Sequence, residues 1–168
     1  MGETFNMKTI VYHGSTEIVK KPLCDIGRSR LDFGQGFYIT DIKEQAISWA
    51  KTVADKRGQK PMINIYLMDR DAILSEAKHK IFNAYDKEWL DFIVGNRNGI
   101  NTAEGYDYVE GGIANDRVID TIKLYMAGVM DEASTLRQLA FSKPNNQICI
   151  LNQSLITKHL EYVRTESI

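Results

Sequence analysis

Apolar and polar positions divide this chain into short alternating runs and longer runs at helical spacing. Thr9-Ile10-Val11-Tyr12 is β-branched and aromatic and predicts a strand, with Gly14 stopping it and leaving His13 at its tip. A second strand is predicted at Phe37-Tyr38, straight after the glycine pair Gly34 and Gly36. Asp41 with Glu44 three residues on has the form of a capping box. Behind it Ile42, Gln45, Ala46, Trp49, Ala50 and Val53 predict one inner helix face. Further strands are predicted at Met62 to Leu67, Lys80 to Phe82 and Tyr106 to Val109, the last broken by Gly111-Gly112. Asp86 caps a helix carrying Trp89, Leu90, Phe92 and Ile93 that stops between Gly95 and Gly99. Asn115-Asp116 caps another through Val118, Ile119, Ile122 and Tyr125, and capping accounts for both residues, with a direct role in the site as the alternative. Asp131 opens a helix with Leu136, Leu139 and Ala140 along one side, closed by Pro144. The chain then predicts a strand from Gln147, a helical turn over Ser154 to His159, and a last strand from Leu160 to Val163.

The stretch Asp32-Phe33-Gly34-Gln35-Gly36-Phe37-Tyr38-Ile39-Thr40 stands out within this pattern. Two glycines one residue apart remove two Cβ atoms, so the backbone can turn with positive φ or pass close to a planar ligand. Upstream, Thr16 to Leu31 is irregular and basic, and Arg28 beside Gly27 offers a forked donor for a phosphate. The alternative is a solvated loop.

Composition narrows the picture without deciding it. At 168 residues the chain suits a single domain over 1–168. A net charge of −1, from 21 basic and 22 acidic residues, leaves no field steering the molecule to nucleic acid or anionic membrane. No apolar run approaches the ~20 residues of a membrane span, and the N-terminus lacks a signal-peptide pattern, which predicts a cytoplasmic protein with no membrane partner. Met7 is an alternative start. Cys24 and Cys149 have no Cys or His at metal spacing, so no metal is expected, and reduced thiols are the default.

Three pieces together resemble the ADP-ribosyltransferase catalytic fold, in its poly(ADP-ribose) polymerase and diphtheria-toxin-like branch. They are Tyr12-His13-Gly14-Ser15, Phe33-Gly34-Gln35-Gly36-Phe37-Tyr38 before a helix, and the late Asn145-Asn146-Gln147 strand. The whole chain is also similar to a compact bacterial domain family of undefined function, through the same strings with Gln45-Ala46, Trp49-Ala50 and Ala114-Asn115-Asp116. The resemblance implies an α+β fold, a split β-sheet core with flanking helices, and NAD as co-substrate. His13, Tyr38 and Gln147 would form the catalytic constellation, with Gly14, Ser15, Arg28, Gly36, Phe37, Tyr38 and Trp49 binding NAD. His13 would bond the adenosine-side ribose, the Gly14 backbone the nicotinamide carboxamide, and Tyr38 and Trp49 would sandwich the nicotinamide ring. Arg28 would take the pyrophosphate or the adenine ribose.

The chain departs from that family pattern at two places. Gln147 stands where the polymerases carry a catalytic Glu, and an amide cannot deprotonate an acceptor. Ala46 stands where they carry a Ser supporting the carboxamide. The expectation is therefore mono-ADP-ribosyl transfer or NAD glycohydrolysis rather than chain elongation, in a toxin-type effector with an acceptor that is protein, nucleic acid or small molecule. The alternative is a catalytically silent NAD or ADP-ribose reader, or one half of a toxin–antitoxin pair held by a cognate antitoxin. Glu110, after the Tyr106 strand, is the other carboxylate considered, and Gln147→Glu is expected to raise NAD hydrolysis.

Overall fold

The computed structural model of the chain describes residues 7–27, 31–142 and 145–168. In chain order these form β1 (Thr9–Ser15), β2 (Phe37–Ile39), α1 (Lys43–Arg57), β3 (Met62–Met68), α2 (Arg70–Glu76), β4 (His79–Ile81), α3 (Lys87–Arg97), β5 (Tyr108–Gly111), α4 (Asp116–Met126), α5 (Glu132–Leu139), β6 (Gln147–Ile150), α6 (Gln153–His159) and β7 (Leu160–Ser167). The fold is α+β, with two sheets and six helices among the described residues. One sheet has the order β1-β3-β7 and is antiparallel throughout. The other has the order β2-β6-β5-β4, with β4 running parallel to β5. Tyr12 and Thr40 exchange backbone hydrogen bonds of 2.8 and 3.0 Å, which joins β1 to the end of β2.

Strand alternation assigns each apolar side chain to a layer. Val11, Tyr66 and Met68 of the first sheet meet Phe37, Ile39, Tyr108, Ile148 and Ile150 of the second in a shared core. On the first sheet's outer face, Ile63 and Ile65 pack with Ala46 under α1. The second sheet's outer face carries Val109 and Cys149, covered by Trp89, Leu90 and Ile93 of α3, Val118 and Ile122 of α4 and Leu139 of α5. Both thiols are free and buried, Cys24 in the core between the sheets and Cys149 on the opposite face.

Most expected elements form, and the differences have local causes. β1 does not stop at Gly14: it runs through to Ser15, and His13 pairs with Asn64 in mid-strand. Long pairing with β3 overrides the glycine. Asp41 and Glu44 make no capping box; α1 begins after Ile42, whose amide is taken by the Thr40 hydroxyl at 3.1 Å. The buried face of α1 is Ala46, Ala50 and Ala54, and Trp49 lies outside it, 58% exposed. A Cβ on Gly14 would stand 2.3 Å from the Ala46 carbonyl oxygen, so the helix backbone rests on the strand and only small side chains fit between. Asp86, Asn115 and Asp131 do cap their helices, accepting from Trp89, Val118 and Ser134 amides. α2, capped by Asp69, is not legible as a periodic run because it spans only seven residues. α5 ends at Leu139 with Ala140 exposed, and Pro144 lies outside the described residues.

Candidate functional site

The glycine stretch divides its labour. Gly34 supplies the positive φ, at 90°, that turns the chain back toward β2. Gly36 instead permits close approach, since a Cβ there would meet the Cys149 sulfur at 2.4 Å and the Ile150 carbonyl oxygen at 2.7 Å. Tyr38 follows, pointing to the helical side of its sheet. Its hydroxyl donates to the Gly34 carbonyl at 2.6 Å and accepts from the Phe33 amide at 3.1 Å, which closes the turn. Burial raises the Tyr38 pKa far above that of a free phenol, so the hydroxyl stays protonated.

Gln147 shares that face, because Tyr38 pairs with Cys149 and Gln147 lies two residues before it on β6. Its amide nitrogen stands 3.4 Å from an Asp32 carboxylate oxygen and 3.4 Å from the Gly112 carbonyl. Asp32 is fixed by Arg97, whose Nε and Nη2 reach Oδ1 at 3.0 and 2.6 Å. Asn146, immediately before Gln147, is held from several sides. Its amide donates to Gln45 Oε1 at 3.2 Å, its carbonyl accepts from the Thr40 hydroxyl at 2.8 Å and from Gln45 Nε2, and its side chain donates to Asp41 and Glu110. The start of β6 is therefore pinned to α1.

His13 points the other way, into the space between the sheets. Its ring lies 4.5 Å from that of Phe37, and its Nδ1 is 2.7 Å from the Tyr38 carbonyl oxygen. A carbonyl only accepts, so Nδ1 carries the proton. Burial lowers the ring's pKa against the opposing effect of that hydrogen bond, which keeps it neutral with Nε2 as a lone-pair acceptor. His13 is thus linked to Tyr38 through the backbone, while the Tyr38 and Gln147 side chains stand on the opposite face of that sheet.

The remaining expected residues spread around this junction. Gly14 is packed under α1. Ser15 accepts from the Glu17 amide at 3.2 Å, a local turn bond. Phe37 is core. Trp49 lies one turn beyond Gln45 on the stripe of α1 that clasps Asn146, with its ring largely bare. Arg28 lies outside the described residues, and the loop leading to it is tied down by Gln35, which donates to the Asp25 and Gly27 carbonyls at 2.9 and 2.8 Å. Glu110 cannot stand beside Gln147: it pairs with Ile148 and points between the sheets, bound by Arg70, Tyr108 and Asn146. Two surface concavities lie elsewhere, one around Lys8, Lys158 and Glu161, the other around Ile10, Leu67 and Val163.

Sequence reading missed Asp32, Arg97, Gln45 and Asn146 as parts of this site. Asp32 opens the glycine stretch, but nothing local signals a partner 65 residues away. Chemically the junction offers uncharged acceptors, an exposed indole, the Asp32 carboxylate paired with a guanidinium and the Asp41 carboxylate bonded to the Asn146 amide.

The fold and this junction define an α+β protein with two sheets joined at one edge and a polar site where β2, β6 and α1 converge. The sequence model of one family, described as a protein of unknown function (DUF3990), matches residues 9–162, and the chain belongs to that family. No curated protein and no solved structure matches it significantly.

Proposed function

We propose that this junction binds NAD, as the resemblance of its three sequence pieces to ADP-ribosyltransferases implies, and that the protein transfers a single ADP-ribose or hydrolyses NAD. The observation that carries the reading is the bare ring of Trp49. A tryptophan 58% exposed contributes little to folding, yet this one lies on the helix stripe that clasps Asn146, beside the residue at which the family pattern has its catalytic position. An open indole suits a flat cationic ring such as nicotinamide, where cation–π attraction adds to buried area. The Gln147 amide is suited to a ribose hydroxyl; neutral His13, on the opposite face of the second sheet, would serve only a different part of the dinucleotide. The split-sheet architecture of transferases of this type fits the two joined sheets. The closing of Asp32 onto Arg97 favours a second reading, a silent NAD or ADP-ribose reader, since no carboxylate is left over at Gln147. A cognate antitoxin remains the partner this class of effector calls for.

Thermal melting with NAD tests binding, because a ligand bound only by the folded state stabilises it by mass action. NAD should raise the Tm of the parent, and Trp49→Ala should abolish the rise while leaving the ligand-free Tm within about 1 °C, as expected of an exposed side chain. An unchanged shift in Trp49→Ala removes the indole from the site. Nicotinamide release then separates enzyme from reader.

A further inference from the structure

Which end of the Gln147 amide faces a ligand decides what that ligand must bring. An amide carries a donor nitrogen and an acceptor oxygen about 120° apart, so whatever the inner side binds sets the chemistry of the outer side. On the inner side stand two groups that only accept, the Asp32 carboxylate and the Gly112 carbonyl, each 3.4 Å from the nitrogen. Rotating the amide would press its oxygen against a carboxylate. Asp32 itself cannot turn away, because both Nε and Nη2 of Arg97 grip its other oxygen and the Ala114 amide lies 3.4 Å from the oxygen that faces Gln147. Among the described residues no donor reaches Gln147 Oε1.

We infer that Asp32 is the positioning residue of this site: fixed by Arg97, it holds the Gln147 nitrogen inward, so that Oε1 faces the ligand as an acceptor for a ribose hydroxyl. The inference rests on the NAD reading for the identity of the ligand, but the orientation of the amide does not depend on it. Gln147 then presents to a hydroxyl what a glutamate would present, an acceptor oxygen, without the charge. The ligand must be a donor at this point, which selects a free 2′-hydroxyl over a group of similar size that only accepts.

Two measurements test this. Neutron diffraction of the ligand-free protein locates the amide deuteriums, expected on the atom facing Asp32; deuteriums on the outward atom overturn the inference whether or not NAD binds. The second compares binding of NAD and of its 2′-fluoro analogue, substituted on the nicotinamide ribose, by calorimetry. The parent should bind the fluoro analogue about tenfold more weakly, the value of one hydrogen bond that fluorine cannot donate. Asp32→Asn puts a donor where the inner acceptor was and turns the Gln147 nitrogen outward, so the ratio should fall to about threefold or less. Arg97→Lys, which keeps the Asp32 charge, should retain the larger ratio. A tenfold ratio preserved in Asp32→Asn, or absent in the parent, overturns the positioning role. If neither ligand binds the parent, the NAD reading fails and the neutron result alone decides the orientation.

Discussion

At Gln147, the substitution that looks restorative from the sequence becomes costly in the fold. A glutamate there would set a second carboxylate against Asp32, and like charges at that separation cannot both ionise freely. Gln147→Glu is therefore expected to lose about 1–3 kcal/mol at pH 7, the cost of leaving a buried polar group without its partner. Urea denaturation should show that loss shrinking at pH 5, and shrinking also in the Gln147→Glu, Asp32→Asn double variant. Any gain in NAD hydrolysis is expected in the double variant rather than the single one. Tyr38 carries a similar lesson. Its hydroxyl closes the glycine turn and its ring packs against the helical core, so Tyr38→Ala should cost about 3–5 kcal/mol and cannot serve as a clean binding variant. Tyr38→Phe, with the ring kept, is the usable one.

Among the elements, α1 determines the shape of the site. Its contact with β1 is backbone on backbone at Gly14, where an added methyl would meet the Ala46 carbonyl at 2.3 Å and the Ala50 nitrogen at 3.0 Å. Gly14→Ala should thus cost about 1–3 kcal/mol or more by overpacking, read as a lower denaturation midpoint with an unchanged m value. If its stability matches the parent's, α1 is not seated as described. The same helix holds the start of β6 through Gln45. By contrast the Asn115 side chain, among the described residues, bonds α4 alone, accepting from the Val118 amide at 3.1 Å. Asn115→Ala should cost about 1 kcal/mol, as loss of an N-cap does, without altering any NAD-dependent shift.

Over the whole molecule, closing one sheet over the other buries His13 against Phe37. Burial lowers its pKa below the 6.5 of an exposed imidazole. As the pH falls below 6.5 the unfolded chain therefore takes up a proton that the folded one resists, so stability present above that pH is lost as it falls toward the folded pKa. His13→Gln, which can still donate to the Tyr38 carbonyl, should flatten that part of the stability profile. A profile as steep as the parent's would assign the loss to other groups.

Local chemistry made much of this protein legible from its sequence. The caps at Asp86, Asn115 and Asp131, the strands at Met62 and Gln147, and the turn at Gly34 depend on residues within a few positions of one another. The α+β class follows from such units. What they share is an energy set by neighbours in the chain. The site differs, because its distances are set by which sheet face meets which helix. That Trp49 is bare and Ala46 buried depends on Gly14 reaching α1; that Gln147 meets Asp32 rather than Glu110 depends on the register of β6 between β2 and β5. A shift of one residue in that register would exchange the faces of Gln147 and Ile148. Only the tertiary structure decides such a choice, because it lies in the joint packing of two sheets and not in any run of sequence.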